Sequence, residues 1–86
     1  MKVIRISAIW CMSCLVMRNK WNKLFASHPE IEMIDYDFDE DQEEIKDYNV
    51  GNVLPVMIIL ENDQEVERVT GEKSLKQLEK IFSKYI

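Results

Sequence analysis

Apolar and polar positions change rhythm several times along the chain, and each change marks an element. Val3 to Ile9 is a short, mostly apolar run rich in β-branched residues, the pattern of a strand buried on both faces. The rhythm then becomes helical. Cys14, Met17, Trp21, Leu24 and Phe25 recur at three-and-four spacing until Ser27-His28-Pro29, which predicts a helix with one inward face. Ile31 to Phe38 returns to alternation through Ile34, Tyr36 and Phe38, and the acidic stretch from Asp39 to Asp47 opens a short second helix.

Val53 to Leu60 predicts a third strand with Pro55 at its first position, because proline cannot donate to a ladder. Asn62-Asp63 separates this run from Gln64 to Val69 as a tight hairpin turn would. Gly71 and an N-cap at Ser74 introduce a last helix with Leu75, Leu78, Ile81, Phe82 and Tyr85 turned inward. The order β-α-β-α-β-β-α predicts an α/β fold: a four-stranded mixed sheet flanked by helices on both faces, its parallel pair joined by a right-handed crossover.

Length makes this one domain over residues 1–86, since so short a chain cannot divide its core. Arg5 interrupts the apolar N-terminus, which argues against a signal peptide, and no segment approaches the roughly 18 apolar residues of a membrane span. The expected location is therefore the cytoplasm. A net charge of −5 disfavours nucleic acid and anionic membrane as partners. Eight acids fall between Asp35 and Asp47. Asp35, Asp37 and Asp39 have calcium-loop spacing, but Glu40 stands where glycine is needed and Lys46 where a bidentate glutamate is needed. The stretch reads instead as a solvated strand end and helix start.

The candidate chemistry is Trp10-Cys11-Met12-Ser13-Cys14, which contains both cysteines of the chain. Structural zinc needs four ligands, and the chain offers only one further candidate in His28, at the far end of the same helix. A metal or iron-sulfur site shared between two chains stays open, as does a non-enzymatic binding module; haem attachment is excluded because Leu15 stands where histidine is required. Redox chemistry fits the placement. At a strand-to-helix junction, free backbone N–H groups and the helix dipole favour the Cys11 thiolate, lowering its pKa from roughly 8.5 toward neutrality. Cys14, one turn inward, can attack a mixed disulfide formed at Cys11.

With Trp10-Cys11-x-x-Cys14 at such a junction, Pro55 opening the next-to-last strand, Gly71 after the last strand and a C-terminal helix, the chain resembles the thioredoxin family from Val3 onward. The resemblance implies a minimal, glutaredoxin-sized thioredoxin fold and a protein-disulfide oxidoreductase. Cys11 would be the nucleophile and Cys14 the resolving thiol, cycling between dithiol and disulfide without organic or metal cofactor. Pro55 would be cis and pack against the cysteines. Val53 and Leu54, with Trp10, Met12 and Gly71, would form an apolar groove in which a substrate strand docks; simple core packing is the alternative for Trp10 and Leu54, and chance exposure for Met12. Implied partners are protein disulfides and a thioredoxin-reductase-like donor, with the chain acting as a monomer.

Three departures from the family stand out. Met12-Ser13 replaces the Gly-Pro of thioredoxins and the Pro-Tyr common in glutaredoxins, which leaves the potential open. Val53-Leu54-Pro55 and Thr70-Gly71-Glu72-Lys73-Ser74 lack the glutaredoxin pattern for glutathione. Arg5 occupies the position of the buried family acid, and Asp35 that of its lysine, so the pair is expected with its signs exchanged behind Cys14. Solvated side chains are the alternative for both. Arg18 reads as an exposed helix arginine, His28 as a cation at a helix C-terminus, and Trp21 as core.

Overall fold

Val3, Ile4 and Ile6 are all buried although they point to opposite faces, which requires a central strand covered on both sides. The computed structural model describes residues 1–85, and Ile86, the last residue of the expected domain, lies outside the described residues. In chain order the elements are β1 (Lys2–Ser7), α1 (Met12–Phe25), β2 (Glu32–Asp37), α2 (Gln42–Ile45) running into a 3₁₀ turn at Lys46–Tyr48, β3 (Val56–Glu61), β4 (Gln64–Thr70) and α3 (Leu75–Phe82). The sheet order is β2-β1-β3-β4. β1 runs parallel to β2 and antiparallel to β3, and β4 completes an antiparallel hairpin.

Period-two alternation then divides the core. Val3, Met57, Ile59 and Val69 meet Met17, Trp21, Leu24 and Phe25 of α1 and Leu78 and Phe82 of α3. Ile4, Ile6, Val56, Ile58 and Leu60 form the opposite face, which Ile45 covers together with partly buried Tyr48 and Val50. The hairpin turns at Asn62 and Asp63 with φ of 53° and 63°, a left-handed pair that Asn and Asp tolerate and that matches strand twist. At α3 the Ser74 hydroxyl accepts from the Gln77 N–H at 3.1 Å, while the Gln77 side chain accepts from the Ser74 N–H at 2.8 Å. That capping box satisfies two otherwise free donors.

The boundaries differ most beside the cysteines. β1 ends at Ser7 rather than Ile9, because the Ala8 carbonyl accepts the Cys11 N–H at 3.2 Å and turns the chain into α1. β3 begins at Val56, after the proline rather than on it. Pro55 instead offers its carbonyl to the Gly71 N–H at 2.9 Å. The acidic segment yields only one α-turn before it tightens to 3₁₀. Asp41, its N-cap, makes no side-chain cap to the helix; its carboxylate accepts the Asp37 N–H at 2.7 Å instead.

Candidate functional site

Cys11 is the N-cap of α1, with extended backbone (φ −94°, ψ 110°), and its sulfur accepts the Cys14 N–H at 3.1 Å. A sulfur in that position receives a backbone donor and the positive end of the helix dipole, the two influences that favour a thiolate. The first turn of α1 carries no acid to oppose them. Cys11 and Cys14 are joined as a disulfide, with Cα atoms 5.2 Å apart. Both residues are largely buried, with Ala8 and Leu54 in the same cluster.

An exposed apolar surface surrounds this pair. Trp10 is 60% exposed, and Met12 and Val53 are similarly open, as are Ile9, Leu15 and Val16. Core packing therefore does not account for Trp10. Its indole N–H donates to Asp39 at 2.6 Å, and its ring meets Phe38 edge-on at 6.4 Å. Asp39 is itself held: Asp37 accepts its N–H at 2.8 Å and that of Glu40 at 3.0 Å. Part of the acidic run thus builds the turn that steadies Trp10.

Leu54 is 8% exposed and its side chain packs in the same cluster as the cysteines, the core packing given above as the alternative for it, which leaves its backbone as what it can offer a docking strand. The Leu54–Pro55 peptide is cis. Gly71 has a φ of 76°, a left-handed conformation that a side chain strains to adopt, and a Cβ added there would lie 3.5 Å from Val53. Its bond to Pro55 keeps the two segments together.

Arg5 and Asp35 are register partners across β1 and β2. Nε and one Nη of the guanidinium donate to the two carboxylate oxygens at 2.7 and 2.8 Å. The Arg5 guanidinium also lies over the Trp21 ring at 5.5 Å. The arginine side chain is 16% exposed and the aspartate 64%, so the pair is half-buried and open on the acid's side. Arg5, Asp35, Trp21, Arg18 and Cys14 line one cleft of about 190 Å³.

Sequence reasoning missed two contacts. Asp39 was grouped with solvated acids, and its hold on Trp10 spans too many residues for local pattern to reveal. Ser13 donates weakly to Glu72 at 3.4 Å, tying the inter-cysteine dipeptide to the residue after Gly71. His28 sits 3.3 Å from Glu30 beyond the end of α1 and does not join the cysteines. Among the described residues no group of three or more His, Cys, Asp or Glu could hold a metal ion. A wider cavity lined by Met1, His28, Ile31 and Tyr85 contains no thiol.

Fold and site together define an α/β protein with a disulfide-forming cysteine pair at the start of a helix, and a cis-proline whose two neighbours, Leu54 and Val56, pack in the same cluster as the cysteines. The thioredoxin family model matches residues 1–84. A thioredoxin H-type from Fagopyrum esculentum is 32% identical over 79 residues, 92% of this chain and 67% of that protein. Thioredoxin H5 of Oryza sativa subsp. japonica is 30% identical over 69 residues, 80% of this chain but 50% of the rice protein. The crystal structure of thioredoxin NaTrxh from Nicotiana alata superimposes with a TM-score of 0.86 at 30% identity, covering 98% of this chain and 71% of that one. The chain belongs to the thioredoxin family. It spans about half the length of the rice relative.

Proposed function

We propose that the chain is a thiol-disulfide oxidoreductase that reduces protein disulfides through a Cys11-Cys14 dithiol/disulfide cycle. The observation that carries this is Cys11 as the helix N-cap, its sulfur accepting the Cys14 N–H and bonded to the second sulfur one turn on. The Cys11 thiolate attacks one sulfur of the substrate disulfide and expels the other as a thiolate, which takes up a proton. Cys14, deprotonated, then attacks the Cys11 sulfur of the mixed disulfide; the second substrate thiolate leaves and the Cys11-Cys14 disulfide remains. Two electrons pass to the substrate, and a reductase of the thioredoxin-reductase class returns them. The protein works as a monomer in the reducing cytoplasm.

The exposed apolar surface of Trp10, Met12 and Val53 receives the substrate segment, with the Gly71–Pro55 link as its backbone floor. Replacing Cys14 by serine blocks the second attack and leaves substrate linked to Cys11. In a reaction of the reduced variant with a disulfide-bonded protein, mass spectrometry should find that adduct at Cys11 and persistent on the minute scale. Its absence, together with no reduction of that protein's disulfide by the wild-type dithiol, would remove the proposed function.

Arg5 acts on Cys14 through space: its guanidinium cannot take a proton, but its charge favours the thiolate that resolution requires. Asp35 offsets part of that charge while remaining half open to solvent. Arg5→Met is expected to move the pH profile of Cys14 alkylation upward, because the nearby positive charge that favours the thiolate is lost. A profile that stays in place refutes the electrostatic role.

A further inference from the structure

The cleft behind Cys14 contains more free donors than its own acceptors use. Arg5 spends Nε and one Nη on Asp35, leaving its other Nη without a hydrogen bond among the described residues. Arg18, exposed on α1, makes no ion pair among the described residues. Trp21 is 4% exposed and its indole N–H is a buried donor with no partner, the one such side-chain atom among the described residues. A buried donor with no partner leaves this wall of the cleft short of an acceptor. Ser7 and Asn22 add further polar groups to the same wall.

Charge points the same way. Arg5, Arg18 and Asp35 are the charged residues that line the cleft, a balance of one positive charge. A further acid, Asp37, lines the adjoining hollow that Cys14 and Arg18 also line, and its carboxylate already accepts the Asp39 and Glu40 N–H groups. We propose that this cleft binds a small oxyanion, a carboxylate or phosphate group, held by Arg18 and the free edge of Arg5 over the Trp21 ring, beside Cys14. A volume of about 190 Å³ suits an ion of that size rather than a cofactor.

The anion sits next to the sulfur that must lose its proton, so it opposes the Cys14 thiolate. By linkage the oxidised protein, in which that sulfur carries no charge, binds the anion more tightly than the reduced protein at a pH where Cys14 is ionised. Binding itself is independent of the redox function proposed above and is tested without it.

The two indole N–H resonances of the ¹⁵N-labelled oxidised chain supply the probe, with Trp10, already bonded to Asp39, as internal reference. Titration with sodium phosphate or sodium acetate, at ionic strength held constant with chloride, should give a saturable shift at Trp21 with affinity on the order of millimolar. Saturation by phosphate alone identifies a phosphate-type ligand, and saturation by acetate a carboxylate. Arg18→Gln should weaken the binding by about tenfold, as loss of a charge-assisted hydrogen bond does. Trp21→Phe, followed through backbone amides of α1, keeps the ring under Arg5 and should weaken it less. A linear response with both ions, an equal shift at Trp10, or undiminished affinity in Arg18→Gln would overturn the proposal.

Discussion

Replacing Cys11 by serine is expected to lower the rate of protein-disulfide reduction by on the order of 10³-fold or more, to the level without protein. A serine hydroxyl at the α1 N-cap still accepts the Cys14 N–H, since serine is among the preferred N-cap residues, so the helix start survives. What disappears is the ionisable sulfur. A hydroxyl does not ionise near neutrality, and the surviving Cys14 is 5% exposed behind the first turn. The contrast with Cys14→Ser is diagnostic: that variant keeps one attack and accumulates an adduct, whereas Cys11→Ser makes none. Measuring reduction of a disulfide-bonded protein by turbidity or thiol release, with helical content followed by circular dichroism, checks both halves. Retained activity in a folded Cys11→Ser variant would reassign the nucleophile.

The conservative character of that substitution reflects how the site is built. Local capping needs only an acceptor at position 11, so the fold tolerates serine there while the chemistry does not. Trp10 presents the converse case. Its exposure is a cost to the isolated chain, offset by the Asp39 hydrogen bond and the edge contact with Phe38, and it keeps apolar surface available at the rim of the cysteine pair.

Much of this was legible in the sequence where short-range physics decides. β1 announced itself as a run too apolar for a half-wet strand, the hairpin through Asn62-Asp63, and α3 through the N-cap Ser74 and the apolar spacing behind it. The errors cluster around the site. Ala8 and Ile9 read as strand because apolar composition normally means burial, yet Ile9 lies in the turn that delivers Cys11, with its side chain outside. The Leu54 side chain packs in the core, one of the two readings its position allowed.

The remaining site contacts depend on segments distant in sequence. Ser13 meets Glu72 only because the chain after β4 passes beside the start of α1. Arg5 and Asp35 were brought to attention by comparison with a family pattern, but their bidentate geometry comes from the parallel register of β1 and β2. Nothing in residue spacing announces that the Trp21 indole is left without an acceptor, because that depends on which side chains line the cleft around it.

Phe82→Ala is expected to remove about 3–5 kcal/mol of stability, the second large effect. Phe82 is fully buried, and its ring meets Phe25 edge-on at 5.0 Å, joining α3 to the last turn of α1. Truncation removes apolar area, the aromatic contact and the filling of a space between two helices and the sheet, where Met17, Leu24 and Leu78 also lie. Domains as a class hold only about 5–15 kcal/mol in total, and short chains bury proportionally less surface. The loss is thus a large share of the whole. In thermal unfolding the midpoint should fall by at least about 12 °C, whereas Val66→Ala, at an exposed position on β4, should stay within about 0.5 kcal/mol of wild type. Because the N-cap of α1 lies at the opposite end of the helix, the folded fraction of Phe82→Ala should keep its Cys11 alkylation rate at low temperature. A destabilisation below about 1 kcal/mol would mean that the α1–α3 interface can close over the missing ring, and that the core on this side of the sheet is less tightly packed than its buried side chains indicate.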